Sequence, residues 1–380
     1  MSVVHIALVG GQTMPVYVAI KESVADKFVL VHSSSTKAQA DCLLRDIESK
    51  CGKPVVLIEL EPNDYLSAKA QFELIIQEYE ESTIEVNISS GTKPWTVAVA
   101  KLSEKYDNVE LIYVDQNSRI YNYKTGITKD IIDLSTEDIF RFNQTAVQSF
   151  VSLDDYTEQD LEVLSKIKLV RNRYINQFNA LTIPTKKNLH NALTYNKEGR
   201  FVDDTSSSEI VWNKNVDGEQ YVRLYFAGRH EEFEFQSPHA FDMTVTSGWF
   251  EYEVADILAK WKKHSLEIWM NVVFPYNNKN PKNEIDVIVN VGNKLLFVEC
   301  KIQVKDKTDI DKFASAVKNY GGMGAKALFL TQQNMPEQAI EKCETNKIAQ
   351  FSLVDENNHQ RKRKELFDLL DKIMFENNAR

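Results

Sequence analysis

Apolar positions in the first 115 residues alternate between two patterns. Short β-branched runs at Val3 to Val9, Phe28 to Val31, Val55 to Leu60, Ile84 to Ile88 and Val109 to Val114 read as strands. Amphipathic stretches at 36–49, 64–80 and 95–106 lie between them and read as helices. Parallel strands need crossover connections, so this alternation predicts a mostly parallel sheet with helices on both faces. A polar stretch from Asn143 to Asp160 then interrupts the pattern. Beyond it come helical patterns near 158–180 and 185–195, and a β-rich, acidic section through Tyr221, Leu224, Phe226, Phe233 and Phe235. No repeat or low-complexity tract is visible.

The fold class that follows is α/β: a Rossmann-like parallel-sheet domain over 1–145, a linker over 146–160 and a second α/β domain over 161–380. Ligands of Rossmann-like sheets bind beyond the carboxyl ends of the strands. Two loops stand there. Gly10-Gly11-Gln12-Thr13-Met14-Pro15 follows the first strand, and Ser89-Ser90-Gly91-Thr92-Lys93-Pro94 follows the strand ending at Ile88. Each offers backbone amides, hydroxyls and a helix start, the materials of an anion site. Neither contains GxGxxG or GxxxxGK[ST], which disfavours NAD and ordinary P-loop ATP binding. Taken singly each loop reads as a capped turn; as a pair at matching strand ends they favour a ligand.

The segment Asn283–Lys301 carries the chemistry. Two strand-like runs flank Gly292-Asn293, a two-residue turn signal for a hairpin. With those residues as the loop, facing positions sum to 585, so Asp286 lies opposite Glu299 and Glu284 opposite Lys301. Facing side chains are about 4.5–5.5 Å apart at Cβ. Two carboxylates at that separation, on strands otherwise built of Ile, Val, Leu and Phe, repel unless a cation lies between them. All-oxygen ligation suits Mg²⁺ or Mn²⁺. Lys301 beside them can orient or deprotonate a water, or stabilise charge developing on a phosphate. An isolated Glu-x-Lys would read as a solvated ion pair; here Asp286 interrupts an apolar strand and the register brings it to Glu299. Upstream, Ser247-Gly248-Trp249-Phe250-Glu251-Tyr252-Glu253 opens a helix whose apolar stripe runs through Phe250, Val254, Ile257, Leu258 and Trp261. Glu251 and Glu253 flank that stripe, and the helical wheel does not choose between them.

Composition narrows the classes. With 380 residues, 43% hydrophobic and 26% charged, the chain is an ordinary folded protein long enough for two domains. A net charge of −10 speaks against coating nucleic acid through bulk positive charge and leaves room for a local basic groove. The cluster Arg361-Lys362-Arg363-Lys364 on a C-terminal helix reads first as a solvated face. Cys42, Cys51, Cys300 and Cys343 form no CxxC pair, so a structural zinc site is not expected. No signal peptide or apolar run of bilayer length is visible, and the expectation is a cytoplasmic protein without a membrane partner.

At these residues a family resemblance becomes specific. Glu251, then Asp286, then Glu299-Cys300-Lys301 resembles the PD-(D/E)xK restriction-endonuclease-like core, in which a helix Glu, a hairpin Asp and an ExK strand build a metal nuclease site. Gly248, Trp249 and Glu251 resemble the helix motif of one branch of that group, which favours Glu251 over Glu253. The proline usually found just before the motif Asp is displaced, Pro281 lying five residues before Asp286. The N-terminal unit, with Asn87-Ile88-Ser89-Ser90-Gly91-Thr92-Lys93-Pro94, resembles the CARF domain, the CRISPR-associated Rossmann fold that senses cyclic oligoadenylate.

In that order the two parts resemble the CARF nuclease effectors of type III CRISPR antiviral defence, over nearly the whole chain. The resemblance implies an endonuclease hydrolysing phosphodiester bonds of DNA and/or RNA, expected as single strands, with catalytic Glu251, Asp286, Glu299 and Lys301. It implies a Mn²⁺ or Mg²⁺ site at Asp286, Glu299 and Cys300, and cyclic tetra-adenylate as activator, held by Gln12, Thr13, Ser89, Ser90, Gly91, Thr92 and Lys93. A ring of identical nucleotides with even membership has a two-fold axis, so a homodimer sharing one ring is expected. Two other readings stand beside it. One is a nucleotide-sensing regulator that binds nucleic acid without cutting, against which the intact Asp286, Glu299 and Lys301 speak. The other is a restriction or repair nuclease sensing another nucleotide.

Overall fold

The structure, a computed structural model, describes residues 2–375 apart from 116–118, 131–132, 192–196, 217, 262–264, 276–282, 305, 323 and 355–358. Pro281 thus lies outside the described residues. The chain divides into two compact units, Met1–Ala146 with Gly292–Lys294 and Tyr320–Gly324, and Val147–Val291 with Leu295–Asn319 and Ala325–Arg380.

The first unit runs β1 (Val3–Leu8), α1 (Met14–Glu22), β2 (Lys27–His32), α2 (Lys37–Cys51), β3 (Val55–Glu59), α3 (Tyr65–Glu78), β4 (Thr83–Asn87), α4 (Lys93–Ser103), β5 (Val109–Val114), β6 (Arg119–Asn122), β7 (Thr128–Asp130) and α5 (Thr136–Phe142). Its sheet has the order β3-β2-β1-β4-β5-β6-β7. The strands from β3 to β5 are parallel, and β6 and β7 extend them antiparallel. Helices cover the parallel strands, which is why β1 and β2 are almost continuously apolar and buried rather than alternating. The helix α1 is absent from the sequence reading, and the reason is burial. Val16 to Ile20 are all buried, so no polar face marks a helical period; Pro15 at its first turn is the remaining cue.

The second unit continues with β8 (Ser149–Ser152), α6 (Glu158–Asn191), β9 (Glu198–Val202), β10 (Glu209–Val216), β11 (Glu219–Phe226), β12 (Glu231–Ser237), α7 (Ala240–Val245) and α8 (Gly248–Ala259). It closes with β13 (Glu267–Phe274), β14 (Asn283–Asn290), β15 (Leu295–Lys301), α9 (Thr308–Tyr320), β16 (Lys326–Thr331), α10 (Glu337–Thr345), β17 (Ala349–Ser352) and α11 (His359–Phe375). Two sheets result, β12-β11-β10-β9 and β17-β16-β15-β14-β13-β8.

The stretch 146–160 is therefore more than a linker. Its β8 is the edge strand of the larger sheet, pairing with β13, and Phe150 stacks on Trp269 at 3.7 Å. Two expected helices at 158–180 and 185–195 are one element, α6, which continues through Pro184 and carries its non-helical backbone at Tyr174 (φ −137°, ψ 40°). Val163, Ile167, Val170, Phe178 and Leu181 of α6 share a core with α8, both sheets and α11.

Candidate active site

The hairpin β14–β15 has the register read from its sequence. Val287 faces Val298, Ile288 faces Phe297, Val289 faces Leu296 and Asn290 faces Leu295. The ladder stops there, one step before Asp286 and Glu299, and the freed N–H of Cys300 donates instead to Asp286 Oδ2 at 2.7 Å. On its other side β15 stays paired in parallel with β16 through Lys301, opposite Thr331. One edge of the strand is thus held rigid while the other opens onto carboxylates.

Lys301 lies between the two acids. Its Nζ donates to Glu299 Oε1 and stands 3.7 Å from Asp286 Oδ2. Burial alone would lower the Lys301 pKa, but the charges of Asp286 and Glu299 outweigh it and hold the ammonium protonated, far above its ordinary range. Glu299 is pushed up to about 8, by burial first and then by the charge of Asp286, against the pull of Lys301. Glu251, on the first turn of α8, is raised well above the carboxylate range by burial and again by Asp286. Glu284 is raised for the same two reasons. Burial first, and then the charge of one shared neighbour, Asp286, therefore raises three carboxyls, a pattern that an added positive charge would relieve.

Glu253 is accounted for differently: it takes an ion pair from Lys168 at 2.8 Å. Glu251 and not Glu253 faces Asp286. Cys300 alternates away from Glu299 and Lys301, its thiol is 5% exposed within the core, and burial raises its pKa far above the ordinary value. A hard cation prefers oxygen to sulfur, so the main-chain carbonyl is the part of Cys300 suited to Mg²⁺ or Mn²⁺.

The donors fit such a cation. Among the described residues no three His, Cys, Asp or Glu side chains converge on one point at ligating distance. Mg²⁺, however, is ordinarily held through one or two carboxylates, with waters and substrate phosphate filling the remaining positions. Asp286 and Glu299 supply that pair, and the raised carboxyls around them are what a divalent charge would relieve.

Beside the carboxylates opens a cavity of about 740 Å³, lined among others by Arg171, Lys186, Trp249, Glu251, Lys301 and Gln332. Lys186 Nζ donates to the carbonyl of Thr246 at 2.8 Å and pulls against the raised Glu251. These α6 residues escaped the sequence reading because nothing local marks them; the path of a kinked helix past a hairpin is a tertiary fact.

In the first unit, β1 and β4 are neighbours in the sheet, so the two loops read from the sequence meet where the strand order reverses. Gly10 N–H donates to Ser90 Oγ at 3.1 Å. A Cβ on Gly10 would come within 2.6 Å of Gly91 N, and Gly91 itself has φ +79°, so both glycines are required by this approach. Thr13 Oγ1 and Thr92 Oγ1 are buried without hydrogen-bond partners among the described residues, while Gln12 and Lys93 are exposed. Ser89 stands apart from the rest. Its hydroxyl donates to Asn87 Oδ1 at 2.5 Å and accepts from Val114 N–H at 2.8 Å, so it fixes the loop.

The family model of the Card1 CARF domain matches residues 4–156, and that of the nuclease-related domain, NERD, matches residues 247–363. Residues 4–156 are thus a CARF domain, and residues 247–363 a nuclease-related domain. The NERD match contains Glu251, Asp286, Glu299 and Lys301, and the CARF match contains both strand-end loops. Can2 from Sulfobacillus thermosulfidooxidans, solved with cyclic tetra-adenylate, is similar at a TM-score of 0.68 and 17% identity, over 98% of this chain and 100% of Can2. Protein VC1899 from Vibrio cholerae is similar at 0.69 and 14% identity, over 97% of each chain. A type III CRISPR defence DNA nuclease activated by cyclic oligoadenylate gives 0.58 at 15% identity, this chain spanning 53% of its length. At these identities the likeness is one of fold. No curated protein matches the chain by sequence. Among the described residues of this CARF–NERD chain no helix is long and apolar enough to cross a membrane.

Proposed function

We propose that this CARF–NERD chain is a divalent-metal-dependent endonuclease of type III CRISPR defence, switched on by a cyclic oligoadenylate and cutting DNA and/or RNA as single strands. The observation that carries the reading is the convergence of Glu251, Asp286, Glu299 and Lys301 at the open end of β14–β15, inside the nuclease-related segment.

Asp286, Glu299 and the Cys300 carbonyl would hold Mn²⁺ or Mg²⁺, which supplies polarisation of the phosphoryl oxygen and acidification of a bound water. Lys301 Nζ, fixed between two carboxylates, donates to the attacking water or to a non-bridging phosphate oxygen as charge develops there. The Glu251 carboxyl, raised above the ordinary carboxylate range by burial and then by the charge of Asp286, faces Asp286 from the helix side of the site. Asp286 in turn keeps the backbone of Cys300 in place through its Oδ2.

The activator would sit across the β1 and β4 loops, with Ser90, Gly91, Thr92 and Lys93 at the start of α4 taking phosphates and Gln12 and Thr13 closing from the other loop. Thr13 and Thr92 support this, as buried hydroxyls without a partner among the described residues. A two-fold dimer would present the patch twice to one ring. For activation the ring must bind the cutting arrangement more tightly than the idle one. Cleavage of labelled single-stranded DNA and RNA, with and without cyclic tetra-adenylate and with Mn²⁺ or chelator, tests the reading; cutting that ignores both additions would overturn it.

A further inference from the structure

Among the described residues, Arg171 is a buried cation without an acid. It projects from α6 with 8% of its surface exposed. Its guanidinium lies over Trp249 at 4.4 Å and over Phe178 at 5.2 Å. Among the described residues it makes no ion pair, and burial is the sole influence on its pKa, lowering it to about 10. The group is still charged at neutral pH. A buried charge with no counter-charge is unfavourable unless something else neutralises it. Surface cations of this unit find their acids: Lys168 has Glu253, Arg200 and Arg223 share Glu209.

Where Arg171 faces suggests the missing partner. It lines the same cavity as Glu251 and Lys301, and Lys186 lies on the same wall four turns further along α6. With its Cζ over the Trp249 and Phe178 rings, the guanidinium is held by apolar neighbours that offer its N–H donors no acceptor, and a guanidinium fork suits a bidentate one. Phosphate has that geometry. The carboxylates nearby do not use it, and the segment holding Arg171 lies outside both family matches. Trp249 also connects the arginine to α8, the helix that carries Glu251.

We propose that Arg171 binds a backbone phosphate of the nucleic-acid strand entering the nuclease centre, with Lys186 as a second phosphate contact on the same wall of the cavity. The inference rests on the nuclease reading above and adds a named substrate-binding surface to it. Both contacts read charge and backbone, not bases, so sequence preference does not come from them. An exposed Ile175 and Ile183 lie between the two cations on the cavity face, which leaves room for bases against apolar surface.

The test is fluorescence anisotropy of a labelled single-stranded oligonucleotide, DNA and RNA in parallel, against full-length protein with Mn²⁺ and cyclic tetra-adenylate. Glu299→Gln in every sample prevents turnover. Arg171→Gln is expected to weaken binding about tenfold and to lower the slope of log Kd against log salt by about 0.7, one phosphate contact on a single strand. Lys186→Gln should lower the slope similarly, and Arg171→Lys should keep the slope while losing part of the affinity. Unchanged affinity and slope in a folded Arg171→Gln protein overturns the proposal. If Arg171→Gln does not fold, Arg171→Lys and Lys186→Gln decide, and wild-type behaviour in both overturns it. Failure of the parent chain to cut any strand under activating conditions is a different result, and it removes the nuclease reading itself.

Discussion

Asp286 Oδ2 accepts the main-chain N–H of Cys300 at 2.7 Å, at the step where the β14–β15 ladder has just ended. One carboxylate therefore both fixes the strand that carries Glu299 and Lys301 and supplies the charge that raises Glu251, Glu284 and Glu299. The two roles separate by mutation. Asp286→Asn keeps an acceptor for Cys300 and removes the charge. We expect cleavage to fall by about 10²- to 10⁴-fold. The metal-free protein should melt higher, by about 2–4 °C for each kcal/mol of repulsion relieved. Calorimetry alongside a cleavage assay checks both, and a lower melting temperature would show that the carboxylates are not in conflict.

The two helix acids should behave oppositely. Glu251→Gln removes a group facing Asp286 and should abolish most cleavage. Glu253→Gln breaks a half-exposed pair with Lys168, a contact worth about 0.2–1 kcal/mol, and should leave cleavage within a few-fold of the parent. Steady-state rates of the two variants, measured side by side, decide; the reverse order would exchange their roles.

Stability in chelator should depend on pH in a stated direction. Glu299 ionises at about 8 in the folded chain against 4.5 for the ordinary carboxyl, so folding favours its protonated form. That contribution is full below 4.5 and is lost as pH rises through about 8. The melting temperature in chelator should therefore decline across this window, apart from other groups, and Mn²⁺ should recover it most at the alkaline end. Parallel thermal scans with Glu299→Gln isolate the effect, since the variant should lack this decline.

Much of this site was legible in the sequence because it is local. The Gly292-Asn293 turn and period-two alternation suffice to set the register of the hairpin, and the strand-end loops follow from strand and helix alternation. Residues whose meaning depends on distant packing were not legible. A uniformly buried α1 shows no helical period, and β8 looks like a polar connector because only its pairing with β13 makes it a strand. Arg171 is an unremarkable helix residue until Trp249 and the cavity are placed beside it.

For the sensor loops, Thr13→Val and Thr92→Val each remove a buried hydroxyl that has no partner among the described residues. Neither should lower its stability measurably, because an unsatisfied polar atom is replaced by an isosteric methyl. Both should weaken cyclic tetra-adenylate binding, and Lys93→Ala should add to the loss. Titration calorimetry gives affinity and stoichiometry together, with one ring per two chains expected. One ring per chain on a monomer would contradict the shared site.

The most direct test of the account is cleavage of labelled single-stranded DNA and RNA by the purified chain, comparing parent and Glu299→Gln proteins with cyclic tetra-adenylate and Mn²⁺. Cutting is expected from the parent when both are added, to fall away when either is omitted or chelator is supplied, and to be absent from Glu299→Gln throughout. Equal cutting by Glu299→Gln, or full activity in excess chelator, would contradict the assignment of the β14–β15 hairpin as the centre of a metal nuclease.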